Sequence, residues 1–263
     1  SRRLGVARAF GPGAVNVLRV PVEGLVAGRL RLDPRTSKYL ARVRRLSVGS
    51  QLRLFDPAAR CEADAQITVI DERGVEVLVG SLGVVEVGGI DVRLIQCVGK
   101  GAKLDAVVRD ATELGVRAIQ PATSERTVVE RSSDAVQHRL SRVAVEAARQ
   151  SGRSDVPEIA PACDFDRALR ENRRETGLIL HPRAVLSLAE VVMAAVGPGS
   201  SFDLVIGPEG GFSDAELASA TALGYTAVRL GRTTLRTETA ATAALGALIA
   251  LCDQVSCDSL PEQ

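Results

Sequence analysis

The chain has 263 residues, 46% of them hydrophobic, with 33 basic and 32 acidic side chains and a net charge of +1. That length suits one large domain or two ordinary ones with a real core, and no apolar run approaches the roughly 18–20 residues that span a bilayer. The five cysteines form no CxxC pair and there are only two histidines, His138 and His181, which speaks against a disulfide framework, a zinc site or any other bound metal.

The N-terminal stretch SRRLGVARAF lacks the apolar core and cleavage site of a signal peptide, so the expectation is a soluble, cytoplasmic protein. Residues 1–60 hold thirteen Lys or Arg against three acids (Glu23, Asp33, Asp56), a surplus of ten, which leaves the other 203 residues at −9. Twelve of those thirteen are Arg, the side chain suited to gripping phosphate bidentately. Two readings stay open: a solvated basic surface, or a platform for a polyanion, most naturally nucleic acid.

In chain order, residues 1–86 read as β. RLRL (29–32) and QLRLF (51–55) are short strands, and SKYLARVRRL (37–46) is a helical piece carrying Lys38, Arg42, Arg44 and Arg45. CEADAQITV (61–69) alternates apolar and polar residues, and GVEVLVG repeats the pattern after the turn DERG, which predicts a hairpin. Several short strands with one short helix suggest a small barrel. VEVGG (85–89) reads as a linker. From about residue 90 the texture becomes alternating strand and helix. The strand candidates are IDVRLIQCV, RAIQP, GLILH, FDLVIG and TAVRLG. Helical spacing marks 104–114 and 134–151, the latter with Arg139, Arg142, Arg149 and Gln150 on its polar face and Arg153 just beyond. Such alternation argues a mostly parallel α/β sheet over 90–263.

Three stretches of that second region carry chemistry. In VIGPEGGFSDAEL (205–217) a buried strand runs into Gly207-Pro208-Glu209-Gly210-Gly211, and a helix follows with Ser213 and Glu216 spaced as a capping box. Strand, glycine-rich turn and helix is the layout of ligand loops at the C-terminal edge of parallel sheets. It is neither GxGxxG nor a P-loop, and a tight turn needing positive φ explains it equally well. In LGRTTLRTETAATAAL (230–245) a strand ends at Leu230-Gly231 and an Ala-rich helix runs to about Cys252, with Thr237 or Thr239 available as its cap and Thr233 and Thr234 free to satisfy loop backbone. Capping does not explain Arg236 beside Glu238; they are either a mutual ion pair or a substrate-holding pair. In LILHPRA (178–184) a buried strand ends in His181-Pro182-Arg183, a third loop at the same predicted edge.

Taken together, GPEGGFS, LGRTTLRTETAA, GKGAKLDAVVRDATELGV, SERTVVERSSD and EAARQSGRSDVPEI resemble the bacterial small-subunit rRNA uridine-N3 methyltransferases (RsmE type) of the SPOUT superfamily. The likeness runs through residues 94–252 with the motifs in family order. YLARVRRLSVGSQLRLFD resembles that family's PUA-like RNA-binding domain, although Lys38-Tyr39 stand where the family usually shows two histidines. The resemblance implies a PUA-like β-barrel over 1–86 and a trefoil-knotted α/β SPOUT domain over 90–263. It implies S-adenosylmethionine held by three loops: Leu180-His181; Gly207, Pro208, Glu209, Gly210 and Gly211; and Leu230-Gly231 through Leu235-Arg236, with Thr239 just beyond. The implied partners are 16S rRNA in the small ribosomal subunit and a second copy of the chain, docked through the knotted domain. Arg2, Arg3, Lys38, Arg42, Arg44, Arg45, Arg149 and Arg153 are the candidate RNA contacts.

Methylating uracil N3 needs an unpaired or flipped base, loss of the N3 proton, and stabilisation of charge on the flanking oxygens. Arg236 is the candidate for that stabilisation, oriented by Glu238 or Glu209; either carboxylate is alternatively the base, with a raised pKa. Ribose 2′-O-methylation and a non-catalytic ribosome-assembly factor are the rival readings, and LRTETAA with GPEGG argues against both.

Overall fold

The computed structural model describes residues 17–57, 59–84, 90–97, 103–127, 134–153 and 155–258, with side chains to residue 253. The chain divides into two compact units between residues 86 and 87; the VEVGG stretch at that division lies outside the described residues.

The first unit contains strands β1 (Leu18–Pro21) and β2 (Gly28–Arg31), helix α1 (Pro34–Lys38) with a π-helical turn over Tyr39–Val43, and strands β3 (Gln51–Asp56), β4 (Cys61–Asp71), β5 (Gly74–Val79) and β6 (Gly83–Val84). The strands form one sheet in the order β1-β3-β4-β5-β2, with β6 on β4. Alternation along β4 sends Ala63, Ala65 and Ile67 into a core with Leu40, Leu52, Leu54 and Val77, each large aliphatic side chain stabilising the fold by about 1.5–3 kcal/mol. Asp33 caps α1 by accepting from the Arg35 and Thr36 amides. Asp56 is buried, and its carboxylate accepts from the amides of Gly24, Leu25 and Ala59. The expected helix over 37–46 is thus displaced and partly unwound: α1 starts earlier, and the π turn ends before Arg45, which takes a left-handed φ of 53°.

The second unit contains β7 (Asp91–Cys97), α2 (Lys103–Glu113), β8 (Ala118–Thr123), α3 (Asp134–Ser151), β9 (Glu158–Ile159), β10 (Cys163–Asp164), α4 (Phe165–Arg170), β11 (Thr176–Leu180), β12 (Leu186–Ser187), α5 (Leu188–Ala195), β13 (Ser201–Ile206), α6 (Asp214–Ala222), β14 (Tyr225–Arg229) and α7 (Thr237–Asp258). The sheet order is β10-β8-β7-β13-β11-β14-β12, with β9 on β8, and every pairing is parallel. Helices α2, α3, α5 and α7 cover one face around Leu94, Phe202 and Leu204; α4 and α6 cover the other around Ile95, Ile179 and Val205. Burial on both faces is why the strands read as near-continuous apolar runs.

Two charges interrupt those runs. Arg93 on β7 and Asp203 on β13 are register partners and meet in a bidentate pair, Nε–Oδ1 and Nη2–Oδ2 both at 2.7 Å. The Tyr225 hydroxyl on β14 also donates to Asp203, at 2.7 Å. It reaches across β11 because Gly177 lies between them: a Cβ there would meet the Tyr225 ring at 2.7 Å. Arg93 donates in addition to the Glu171 carbonyl. A charged belt thus crosses four strands near their N-terminal ends, with its carboxylate hydrogen-bonded on both oxygens, as burial requires.

Candidate active site

Strands β13, β11 and β14 are neighbours and all parallel, so the loops at their C-terminal ends emerge side by side. They surround one cleft of about 670 Å³, within the usual size of small-molecule sites. Leu180, His181, Pro182 and Arg183 come from the first loop, Gly207 through Phe212 from the second, and Leu230, Thr233, Thr234, Leu235, Arg236 and Thr237 from the third. Leu180, Leu230 and Leu235 pack against the main core and give the cleft an apolar floor. The expected cofactor residues Leu180, His181, Gly207, Pro208, Glu209, Gly210, Gly211, Leu230, Leu235 and Arg236 all line it; Gly231 and Thr239 do not, and Thr239 is exposed on α7.

The glycine loop is shaped by its own neighbours. A Cβ on Gly207 would meet the Phe212 ring at 2.9 Å, and one on Gly210 would meet the Arg126 side chain at 3.1 Å. The Arg126 guanidinium, on the turn after β8, donates to the Gly210 carbonyl at 2.9 Å. Ser213 and Glu216 form the expected capping box, and Glu216 also accepts from the Glu125 amide at 2.8 Å. The turn at 124–127 is thereby fastened to the start of α6 and makes a fourth wall that sequence reasoning missed.

Thr237 does something other than cap α7. Its buried hydroxyl donates to the Gly207 carbonyl at 2.6 Å and accepts from Gln96 Nε2 on β7 at 3.0 Å. It joins the second loop, the third loop and the sheet at one point. Thr233 and Thr234 are exposed and face the cleft instead of bonding loop backbone. His181 Nδ1 accepts from the Arg183 amide at 3.3 Å, which points to the tautomer protonated on Nε2.

Arg236 and Glu238 do not pair. Arg236 is exposed at the cleft and has no carboxylate partner among the described residues. Glu209 and Glu238 are instead both drawn to Lys103 at the start of α2: Nζ lies 2.6 Å from Glu209 Oε1 and 3.8 Å from Glu238 Oε2. The hydrogen bond to Glu209 holds the Lys103 ammonium above its usual range. Glu238 is absent from the cleft lining and faces Lys103 instead. Lys103 was absent from the expected site residues. A hint was available, because a cation in the first turn of a helix opposes the macrodipole and asks for a carboxylate elsewhere.

The candidate RNA contacts separate into two groups. Lys38, Arg42, Arg44 and Arg45 are all exposed on α1, the π turn and the residues after it, with no ion pair among the described residues. Arg149 pairs with Glu146, and Arg153 is committed to Asp155 at 2.6 Å and to the Thr112 and Val116 carbonyls, so it fastens the end of α3 to the turn after α2. Arg2 and Arg3 lie outside the described residues. The charge surplus of residues 1–60 is also smaller in space than along the chain: Arg19, Arg29, Arg31 and Arg53 pair with Glu62, Asp64, Asp71 and Glu76 on the following strands.

Residues 88–249 match the RNA methyltransferase domain, and residues 32–79 match the RNA methyltransferase PUA domain. The chain is similar to the ribosomal RNA small subunit methyltransferase E of Mycobacterium bovis, 33% identical over 218 residues covering 80% of this chain and 82% of the relative. It is similar also to that of Synechocystis, 30% identical over 238 residues covering 89% and 77%. The chain belongs to the ribosomal RNA small subunit methyltransferase E family. The crystal structure of a methyltransferase E from Neisseria gonorrhoeae bound to S-adenosyl methionine superposes with a TM-score of 0.80 at 29% identity, covering 90% of this chain and 98% of that one. The RNA methyltransferase domain match spans all three cleft loops, and the PUA domain match contains the exposed cations at 38, 42, 44 and 45. Among the described residues no helix is long and apolar enough to cross a membrane.

Proposed function

We infer that this methyltransferase transfers a methyl group from S-adenosylmethionine to N3 of one uridine in small-subunit (16S) rRNA. The observation that carries the reading is the convergence of three loops from adjacent parallel strands on one cleft, in a chain of the methyltransferase E family. The cleft fits the cofactor: Leu180, Leu230 and Leu235 offer an apolar bed for a flat base, and Asp214 supplies an anionic group in its lining to suit a cationic sulfonium.

S-adenosylmethionine, when bound, supplies a methyl already activated by the sulfonium. The protein has three tasks left. It must present an unpaired uracil, since N3 lies on the Watson–Crick edge. It must favour loss of the N3 proton, and it must hold the flanking oxygens as charge grows on them. Arg236 is our candidate for the last two: its guanidinium is at the cleft and unspent on any carboxylate among the described residues. Positioned charge of this kind is worth several kcal/mol in a water-poor site. Lys38, Arg42, Arg44 and Arg45 are candidates to hold rRNA phosphates, a sequence-independent and salt-sensitive contribution. The trefoil knot, a homodimer joined through the second unit, and a cytoplasmic location belong to the same reading and rest on the family resemblance. Light scattering after gel filtration tests the dimer.

The deciding experiment is methyl transfer from labelled S-adenosylmethionine to small ribosomal subunits from a strain lacking this activity, followed by nucleoside mass spectrometry. A 3-methyluridine product is expected. A ribose-methylated product overturns the chemistry, and no product despite cofactor binding overturns the substrate.

A further inference from the structure

Three segments meet at Lys103: the start of α2, the glycine loop through Glu209, and the first turn of α7 through Glu238. Glu238 Oε2 is shielded from solvent and has no hydrogen-bond partner among the described residues, so the nearby ammonium at 3.8 Å is what compensates its charge. A shielded carboxylate oxygen without such compensation is costly. The residue before Glu238 is Thr237, whose hydroxyl holds the Gly207 carbonyl. The start and the middle of the glycine loop are therefore coupled to the same helical turn, Gly207 through Thr237 and Glu209 through Lys103.

We propose that Lys103 is a positioning residue for the cofactor cleft: its ammonium bridges Glu209 and Glu238 and sets the spacing between the glycine loop and the start of α7. The proposal rests on the methyltransferase reading for its ligand but not for its geometry. It also redefines the two carboxylates: both face the Lys103 ammonium, Glu209 at 2.6 Å and Glu238 at 3.8 Å, as anchors for the two segments.

The test is Lys103→Met against Lys103→Arg in the full chain, with two measurements. The first is hydrogen exchange of the backbone amides of residues 207–211 and 237–241 in cofactor-free protein. The second is S-adenosylmethionine affinity by calorimetry, with KM and kcat for methyl transfer. Lys103 is partly exposed, so the effect expected is that of an exposed ion pair, about fivefold. Lys103→Met should speed exchange in both segments about fivefold and raise the cofactor Kd and KM by a similar factor, with kcat at saturating cofactor changed less. Lys103→Arg should restore both readouts. Unchanged exchange and affinity in Lys103→Met overturns the proposal, as does a fall in kcat without a change in affinity. If the unaltered chain binds no S-adenosylmethionine, the methyltransferase reading fails, while the exchange measurement still decides whether Lys103 couples the two segments.

Discussion

Near the N-terminal ends of β7 and β13, Arg93 and Asp203 meet at 2.7 Å with side chains 3% and 0% exposed. Beyond the C-terminal end of β13, Lys103 and Glu209 meet at 2.6 Å with side chains 40% and 45% exposed. The contact lengths are alike and the consequences differ because the solvent does. The buried pair is bidentate, is completed by Tyr225 and the Glu171 carbonyl, and cannot open without leaving a charge in the core. The exposed lysine can release its partner to water at little cost, which suits loops that must admit and release a ligand. One end of the sheet uses charge to specify strand neighbours, and the other uses it to adjust a cleft.

The comparison can be broken hardest at the buried end. Arg93→Met leaves Asp203 buried without its cation and should cost about 3–5 kcal/mol in denaturant unfolding. Adding Asp203→Leu should recover most of that, since Tyr225 keeps the Leu169 carbonyl as acceptor; a double variant as unstable as the single one would show that the belt does more than compensate charge. At the cleft end, Arg236→Ala should lower kcat by about 10²–10³ while cofactor affinity changes little. Equal losses in both would remove Arg236 from the chemistry and make it part of cofactor binding.

Thr237→Val lies between the two regimes. It removes a buried hydroxyl that bonds on both sides, and about 1–3 kcal/mol of stability should go with it, together with cofactor affinity. A stable variant with normal affinity would show that the Gly207 carbonyl finds another donor. The smallest effect on stability is expected from replacing Lys38, Arg42, Arg44 and Arg45 by Gln: within about 0.5 kcal/mol, because all four are solvated. Their effect should instead appear in rRNA affinity, with the salt dependence flattened by about 0.7–0.9 for each phosphate no longer neutralised. Unchanged affinity and salt slope would return this surface to a solubility role.

Much of the fold could be read from residue order. The alternation in CEADAQITV, the apolar runs at 204–206 and 177–180, and the Ser213–Glu216 box each state a local preference that packing did not overrule. The site was legible as three loops at one edge, because parallel strands put their following loops on the same side. The partners of the charges were less legible. Arg236 and Glu238 lie two positions apart, and their order along the chain left a mutual ion pair and a substrate-holding pair equally open, yet Glu238 sits 3.8 Å from a lysine 135 positions earlier. Thr237 or Thr239 was available to cap α7; Thr237 instead bonds to Gly207 and Gln96, and Thr239 is exposed on the helix. Arg149 and Arg153 were counted toward RNA because nothing in the sequence shows how completely Glu146, Asp155 and two carbonyls occupy them.

The sequence by itself determined the elements, the loops that carry ligand chemistry, and the family, since periodicity, capping and contiguous motifs are properties of neighbours along the chain. Only the tertiary structure decided which charges are spent and which remain available. A strand order that places β7 beside β13 brings residues 110 apart into one salt bridge, and pairing is set by distance and solvent exposure, which chain separation does not encode.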